Sequence, residues 1–272
     1  ALGVARAVAA GAVESRFRSP GGCVGATLAL DASGRVTYAV SFRGGEVVAP
    51  SPIGWRLDGC AWDRVSALKV LNVREVHERF PARGVHAEGR CDAVVVLVAA
   101  TPEKGPSCGV QIAVANGGFA WRLLAPDLAP HRVNAETACW RLPAASRAWF
   151  AERRSEWKLK TYAGEWISAP LSDLGRVSPQ GPVQTMPLVA ELPGGAGYAV
   201  VTEAALFNYS GLRLEARPDG SLWGGFTEKD GFAVAGRAVT PWRVVLLAPT
   251  LDALVNNDLV AALAPPPDPA LF

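Results

Sequence analysis

The runs "VGATLAL" (Val24–Leu30) and "VTYAVSF" (Val36–Phe42) flank the turn-rich insert "DASGR", and that pattern of β-formers around a tight reversal predicts a hairpin. The same punctuation recurs along the chain. Gly44-Gly45 precede "EVVAPS", and "GVQIAVA" (residues 109–115) meets "FAWRLL" (residues 119–124) at Asn116-Gly117-Gly118. Glycines there supply the positive φ angles that a hairpin turn requires. "VVVLVAA" (residues 94–100) precedes that pair. "GYAVVT", "GLRLEA" and "SLWGGF" form a third set, the last two turned by Pro218-Asp219-Gly220, and "PWRVVLLAP" closes the series. Strand follows strand through short turns, with no regular alternation of strand and long helix. This argues against a Rossmann fold or a (β/α)₈ barrel within these residues and predicts a large all-β antiparallel sandwich.

Two intervals carry helical signals. "PAASRAWFAERR" (residues 143–154) has good helix formers and basic residues in its last turn. "LDALVNNDLVAAL" (residues 251–263) follows Thr250 as N-cap and spaces Leu251, Leu254, Val255, Leu259 and Leu263 at helical intervals. The proline-rich "APPPDPALF" cannot continue that helix and reads as a linker. The Ala-rich start "ALGVARAVAAGA" has the small residues of a secretory cleavage region but no basic start before a long apolar core, so a short helix or a disordered leader fits it equally. The expected division is a leader over 1–18, the sandwich over 19–264, and a linker over 265–272.

Composition narrows the function. The chain has 272 residues, half of them hydrophobic, with a net charge of +2 and no polybasic run. No nucleic-acid or membrane partner is therefore expected, because phosphate binding needs clustered Lys and Arg, and no apolar run is long enough to span a bilayer. The five cysteines are scattered, without a CxxC pair, and are expected as small buried hydrophobes. The nine tryptophans can line a sugar platform, although core packing accounts for most of them. Neither a GxSxG elbow nor a Walker loop occurs. His77, His86 and His131 form no HxxxH or HExxH pattern, and His77 and His86 bracket "ERFPARGV", which reads as a charged loop. All three histidines are expected outside the main strands.

The remaining candidates are carboxylates near strand ends: Glu136 in "NAETACW", Glu165 in "YAGEWIS" and Glu203 in "VTEAAL". Glycosidase chemistry uses two carboxylates held several ångströms apart, and spacing alone does not bring any two of these together. A surface position is expected for Glu136 and Glu165.

Several segments, taken in order, resemble the N-terminal domain of glycoside hydrolase family 97, the bacterial α-glucosidases and α-galactosidases. They are "SPGGCVGATLALDASGRVTYAVSFRGGEVVAPSPIGWRL", "VQIAVANGGFAWRLLAP", "NAETACWRLP", "YAVVTEAALFNYSGLRLEA" and, as the nearest match, "TPWRVVLLAPTLDALVNNDLVAAL". The resemblance runs from about Ser19 to Phe272. It departs at Asn116-Gly117-Gly118, where the family's turn is more acidic, and at "EAALFNYSG", which lacks an acidic residue after Glu-Ala.

The resemblance implies a galactose-mutarotase-like β-super-sandwich that forms one wall of an active site on oligosaccharides. The catalytic carboxylates would lie in a following (β/α)₈ barrel, so the chain by itself is expected to be inactive. A periplasmic or extracellular location goes with this. In calcium-dependent members, one glutamate of the N-terminal domain joins barrel glutamates around the ion. The match at "VTEAAL" implies Glu203 as that metal ligand, with Glu136 and Glu165 as the other candidates. Two alternatives remain open: a stand-alone carbohydrate-binding module, which needs a solvent-facing row of Trp or Tyr, and a mutarotase-like epimerase, which needs His and Glu facing one pocket.

Overall fold

A computed structural model describes residues 8–9, 12–82, 85–127, 129–152, 164–177, 183–226, 228, 230–266, 268 and 270. Of these residues, 58% lie in strands and 9% in helices, as the hairpin pattern requires. Two antiparallel sheets face each other. The first has eleven strands, with the path Val8–Ala9, Ala12–Arg18, Val24–Leu30, Val36–Phe42, Gly45–Leu57, His131–Trp140, Leu222–Phe226, Leu212–Ala216 and Val183–Gln184. Cys60–Ala61 and Phe232–Val234 pair beside this path. The second has nine strands, in the order Glu165–Pro170, Arg147–Glu152, Leu188–Glu191, Tyr198–Ala204, Trp242–Ala248, Gly118–Leu124, Cys108–Ala115, Glu88–Thr101 and Ala67–Pro81. Among the described residues no helix is long and apolar enough to cross a membrane.

Side chains that alternate along each strand fill the space between the sheets. Tyr38 from the first sheet stacks on Phe119 from the second at 5.2 Å, and Trp55, Trp121, Trp140 and Phe150 are enclosed with them. A second apolar layer forms on the outer face of the nine-stranded sheet. There Val200, Trp242, Val244 and Leu246 are covered by Leu254 and Leu259. All five cysteines are free, and Cys91, Cys108 and Cys139 are buried, as expected of small hydrophobes. Burial pushes the Cys108 thiol up to about 12, and those of Cys91 and Cys139 to about 11.

Four expectations are corrected. Residues 143–154 are not helical: Ser146 closes a turn on Pro143, and Arg147–Glu152 is a strand between Glu165–Pro170 and Leu188–Glu191. Ala148 and Phe150 point into the core at a spacing of two, so pairing on both edges outweighs helix propensity. Arg153 and Arg154 lie outside the described residues. The expected helix at 251–263 is instead two short ones, Leu251–Val255 and Leu259–Leu263. Thr250 caps the first, its hydroxyl accepting from the Ala253 amide at 3.2 Å.

"ERFPARGV" begins inside the strand Ala67–Pro81, which contains His77, and His131 opens the strand His131–Trp140, so these two histidines lie within strands. Finally, the first sheet extends ahead of the expected start near Arg18: Ala12–Arg18 pairs with Val24–Leu30.

Candidate functional site

Glu203 is next to last in Tyr198–Ala204 and lies directly opposite Arg243 of Trp242–Ala248. Residues opposite each other in an antiparallel pair share a face. Val201 and Val245 belong to the layer between the sheets, so Glu203 and Arg243, two positions away on their strands, point there too. From the other sheet, Glu136 pairs with Trp55 and faces the same space. The side chains meet. Arg243 donates from Nε to Glu136 Oε1 and from Nη2 to Glu136 Oε2, both at 2.7 Å, in a two-pronged fork. Its Nη1 donates to Glu203 Oε1. The ion triad therefore bridges the two sheets.

Neutral groups complete it. Trp55 Nε1 donates to the Tyr209 hydroxyl at 3.0 Å, and that hydroxyl donates to Glu136 Oε2 at 3.0 Å. The Leu212 amide reaches both oxygens of Glu203 at 3.3 Å. Tyr209 is wedged edge-on against Phe226 and Phe232, with ring centroids at 5.9 and 4.9 Å. The Arg243 and Glu136 side chains are 0% exposed and that of Glu203 is 13% exposed, so Glu203 is the member of the triad that reaches solvent.

One cation between two carboxylates leaves the triad with a net negative charge. Burial pushes the Glu203 carboxyl above the usual carboxylate range and the Glu136 charge adds to this, while Arg243, the Leu212 amide and Arg213 pull the other way. Burial alone would lower the Arg243 pKa, but the two carboxylates and Tyr209 outweigh it and hold the guanidinium firmly charged. Burial, then the Glu136 charge, raises the Tyr209 phenol well above its ordinary value, so Tyr209 stays a donor.

After Glu203 the chain leaves the sheet abruptly. Ala205 and Asn208 have φ of 54° and 51°, a left-handed conformation that costs a non-glycine residue about 1–3 kcal/mol. Between them, Leu206 and Phe207 are 46% and 61% exposed. The segment thus presents two apolar side chains beside the Glu203 carboxylate, and Tyr209 returns to the interior.

The other candidates lie elsewhere. Glu136 is not on the surface as expected, because its side chain is enclosed by the opposite sheet. Glu165 starts the outer strand Glu165–Pro170 and is exposed, opposite Glu152. His77 Nδ1 lies 2.8 Å from Asp92 on the second sheet, and its Nε2 lies 3.2 Å from Glu75. His131 Nε2 lies 2.7 Å from Asp127 at the start of its strand, and His86 is an exposed residue in a bend. No two of them converge, as an epimerase would need. Among the described residues, no group of three or more His, Cys, Asp or Glu side chains is gathered for a metal. Sequence reasoning missed Arg243, Tyr209 and Trp55. The available signal was the single arginine inside the apolar run "PWRVVLLAP".

The family model for the glycosyl-hydrolase 97 N-terminal region matches residues 17–266. No curated protein matches the chain. Among solved structures, a glycoside hydrolase family 97 enzyme from Pseudoalteromonas sp. strain K8, determined with acarbose and with panose, superposes with a TM-score of 0.77 at 20% identity. The match covers 92% of this chain and 38% of that one. A β-arabinopyranosidase superposes with a TM-score of 0.69 at 22% identity, covering 87% of this chain and 40% of its own. This chain thus spans about two-fifths of the length of these enzymes.

Proposed function

The chain belongs to the glycosyl-hydrolase 97 N-terminal family, and on that premise we propose that it is the non-catalytic sandwich domain of an α-glycosidase acting on α-glucosides or α-galactosides outside the cytoplasm. It works with a (β/α)₈ catalytic domain and forms one wall of that domain's active site. The observation that carries this reading is the Glu203 end of the sandwich. A carboxylate reaches solvent there from an otherwise buried ion triad, next to the exposed Leu206 and Phe207. Apolar side chains presented beside a fixed carboxylate suit a surface that another domain covers.

Glu203 is the residue we assign to a calcium ion shared between the domains. Calcium takes six to eight oxygen ligands, and this chain offers only one carboxylate with solvent access at the triad. It therefore fits as a partial ligand set, which other residues of the enzyme must complete. Arg243 and the Leu212 amide fix where the Glu203 oxygens lie. Calcium in such a site supplies positive charge and holds the surrounding carboxylates in place.

The test is turnover of aryl α-glucosides and α-galactosides by the purified 272-residue chain and by the intact enzyme that contains it. We expect hydrolysis by the intact enzyme alone. Turnover by the chain itself, abolished by substituting one of its own residues, would overturn the assignment.

A further inference from the structure

Thr137 follows Glu136 in its strand and Arg56 follows Trp55 in the neighbouring one, so the pleat turns both away from the triad onto the outer face of the first sheet. Trp223, opposite Cys139, shares that face. Here a hollow of about 280 Å³ is lined by Arg35, Arg56, Asp63, Arg64, Thr137 and Trp223, with Pro52 and Ile53 at its floor. They come from five stretches of chain: the Val36–Phe42 approach, Gly45–Leu57, the loop at 62–66, His131–Trp140 and Leu222–Phe226. The loop is held over the sheet by the Val65 amide on Gly34 O at 2.7 Å and the Ser66 amide on Thr101 O at 2.7 Å.

The charges are not balanced. Arg56 is spent on Asp63 at 2.7 Å, which holds that carboxyl below its usual range and keeps it an acceptor. Arg35 and Arg64 are exposed; the Arg35 charge acts on Asp31 and the Arg64 charge on Asp63, so Arg35, Arg56 and Arg64 against these two carboxylates leave one excess positive charge around the hollow. Arg217, outside the hollow, lies over one face of Trp223 at 3.9 Å from the ring centroid, and the indole N–H donates to Ser221 Oγ at 2.7 Å, while Trp223 also lines the hollow.

We propose that this hollow binds one unit of an acidic saccharide, with the sugar ring against Trp223 and its anionic group between Arg35 and Arg64. Indole packs on the C–H faces of a pyranose, and guanidinium forks match a carboxylate or a sulfate ester. Asp63 and Thr137 accept and donate to hydroxyls. The volume sits at the small end of ligand pockets and suits a single ring. The site lies on the opposite face of the sheet from Glu203 and acts independently of it.

The experiment is native affinity electrophoresis of the intact protein in gels containing polygalacturonate, dextran sulfate or the neutral β-linked polymer hydroxyethyl cellulose, which the proposed α-glycosidase site does not take. Retardation is expected in an acidic gel but not in the neutral one, and which acidic polymer acts identifies a carboxylate or a sulfate ester as the anion. The double variant Arg35→Ala/Arg64→Ala is expected to lose about tenfold or more in affinity, as is Trp223→Ala. Arg79→Ala/Arg90→Ala, the same change of charge on the second sheet, should bind as wild type, and far-UV circular dichroism should be unchanged throughout. Three results overturn the proposal: equal retardation in hydroxyethyl cellulose, retention unaffected by the Arg35/Arg64 variant, or inorganic phosphate competing as tightly as the saccharide, which means a plain anion site.

Discussion

Arg243 ties the two sheets together through a single side chain. It is fully buried and satisfies two carboxylates from different sheets. Arg243→Met would strand both charges, and breaking a buried pair in this way costs about 3–5 kcal/mol. Urea unfolding should show that loss, and adding Glu136→Leu to the same chain should restore part of it. If Arg243→Met is within 1 kcal/mol of wild type by the same measurement, the triad is not the inter-sheet tie described above. The pH dependence at Glu203 has the opposite sign to ordinary acid denaturation. Its folded pKa is raised above the ordinary value of about 4.5, so its contribution is fully present below about 4.5 and is lost as pH rises through the folded value. Wild type should therefore lose stability relative to Glu203→Gln as pH rises from about 4.5 into the mildly acidic range. Parallel stability curves for the two proteins across that window would contradict the assignment.

At the scale of elements, the hairpins were legible because turn residues and alternation agree. Val24–Leu30 and Val36–Phe42 run between the residues the sequence indicates, and Asn116-Gly117-Gly118 turns the hairpin of Cys108–Ala115 and Gly118–Leu124. Gly118 shows why that turn is so specific. It has a φ of 150°, and a Cβ there would sit 2.2 Å from the Val245 carbonyl oxygen of the adjoining central strand. Gly118→Ala should therefore cost about 3 kcal/mol from strain and overpacking, read as a lower unfolding midpoint. Arg147–Glu152 was not legible, because Ala, Ser and Arg carry helix propensity and only partners distant in sequence make the segment a strand. The interrupted helix at 251–263 was hidden for a related reason. Asn257 donates to Gly117 O at 2.7 Å and Asp258 accepts the Arg90 amide at 2.9 Å, so both are committed to the neighbouring sheet.

For the whole molecule, two facing sheets turn three residues from separate strands, Glu136, Glu203 and Arg243, into one site. No local pattern announces that meeting. "VTEAAL" singles out Glu203 by family likeness, but its partner Glu136 reads as a surface residue until the opposite sheet is laid over it. The tryptophans divide as composition suggests: Trp55, Trp62, Trp121, Trp140 and Trp242 are core, while Trp166 is exposed and Trp223 is partly so. In the proposed function, the sandwich lends Glu203 to a calcium ion completed by the rest of the enzyme. Calcium titration by calorimetry on the intact, calcium-stripped enzyme tests it most directly, comparing wild type with Glu203→Gln. The account predicts that Glu203→Gln weakens calcium binding about tenfold or more and lowers activity with it, while far-UV circular dichroism stays unchanged, since one carboxylate is removed from the ligand set. Wild-type calcium affinity and wild-type activity in a folded Glu203→Gln enzyme would contradict it, leaving Glu203 as a partner of Arg243 alone.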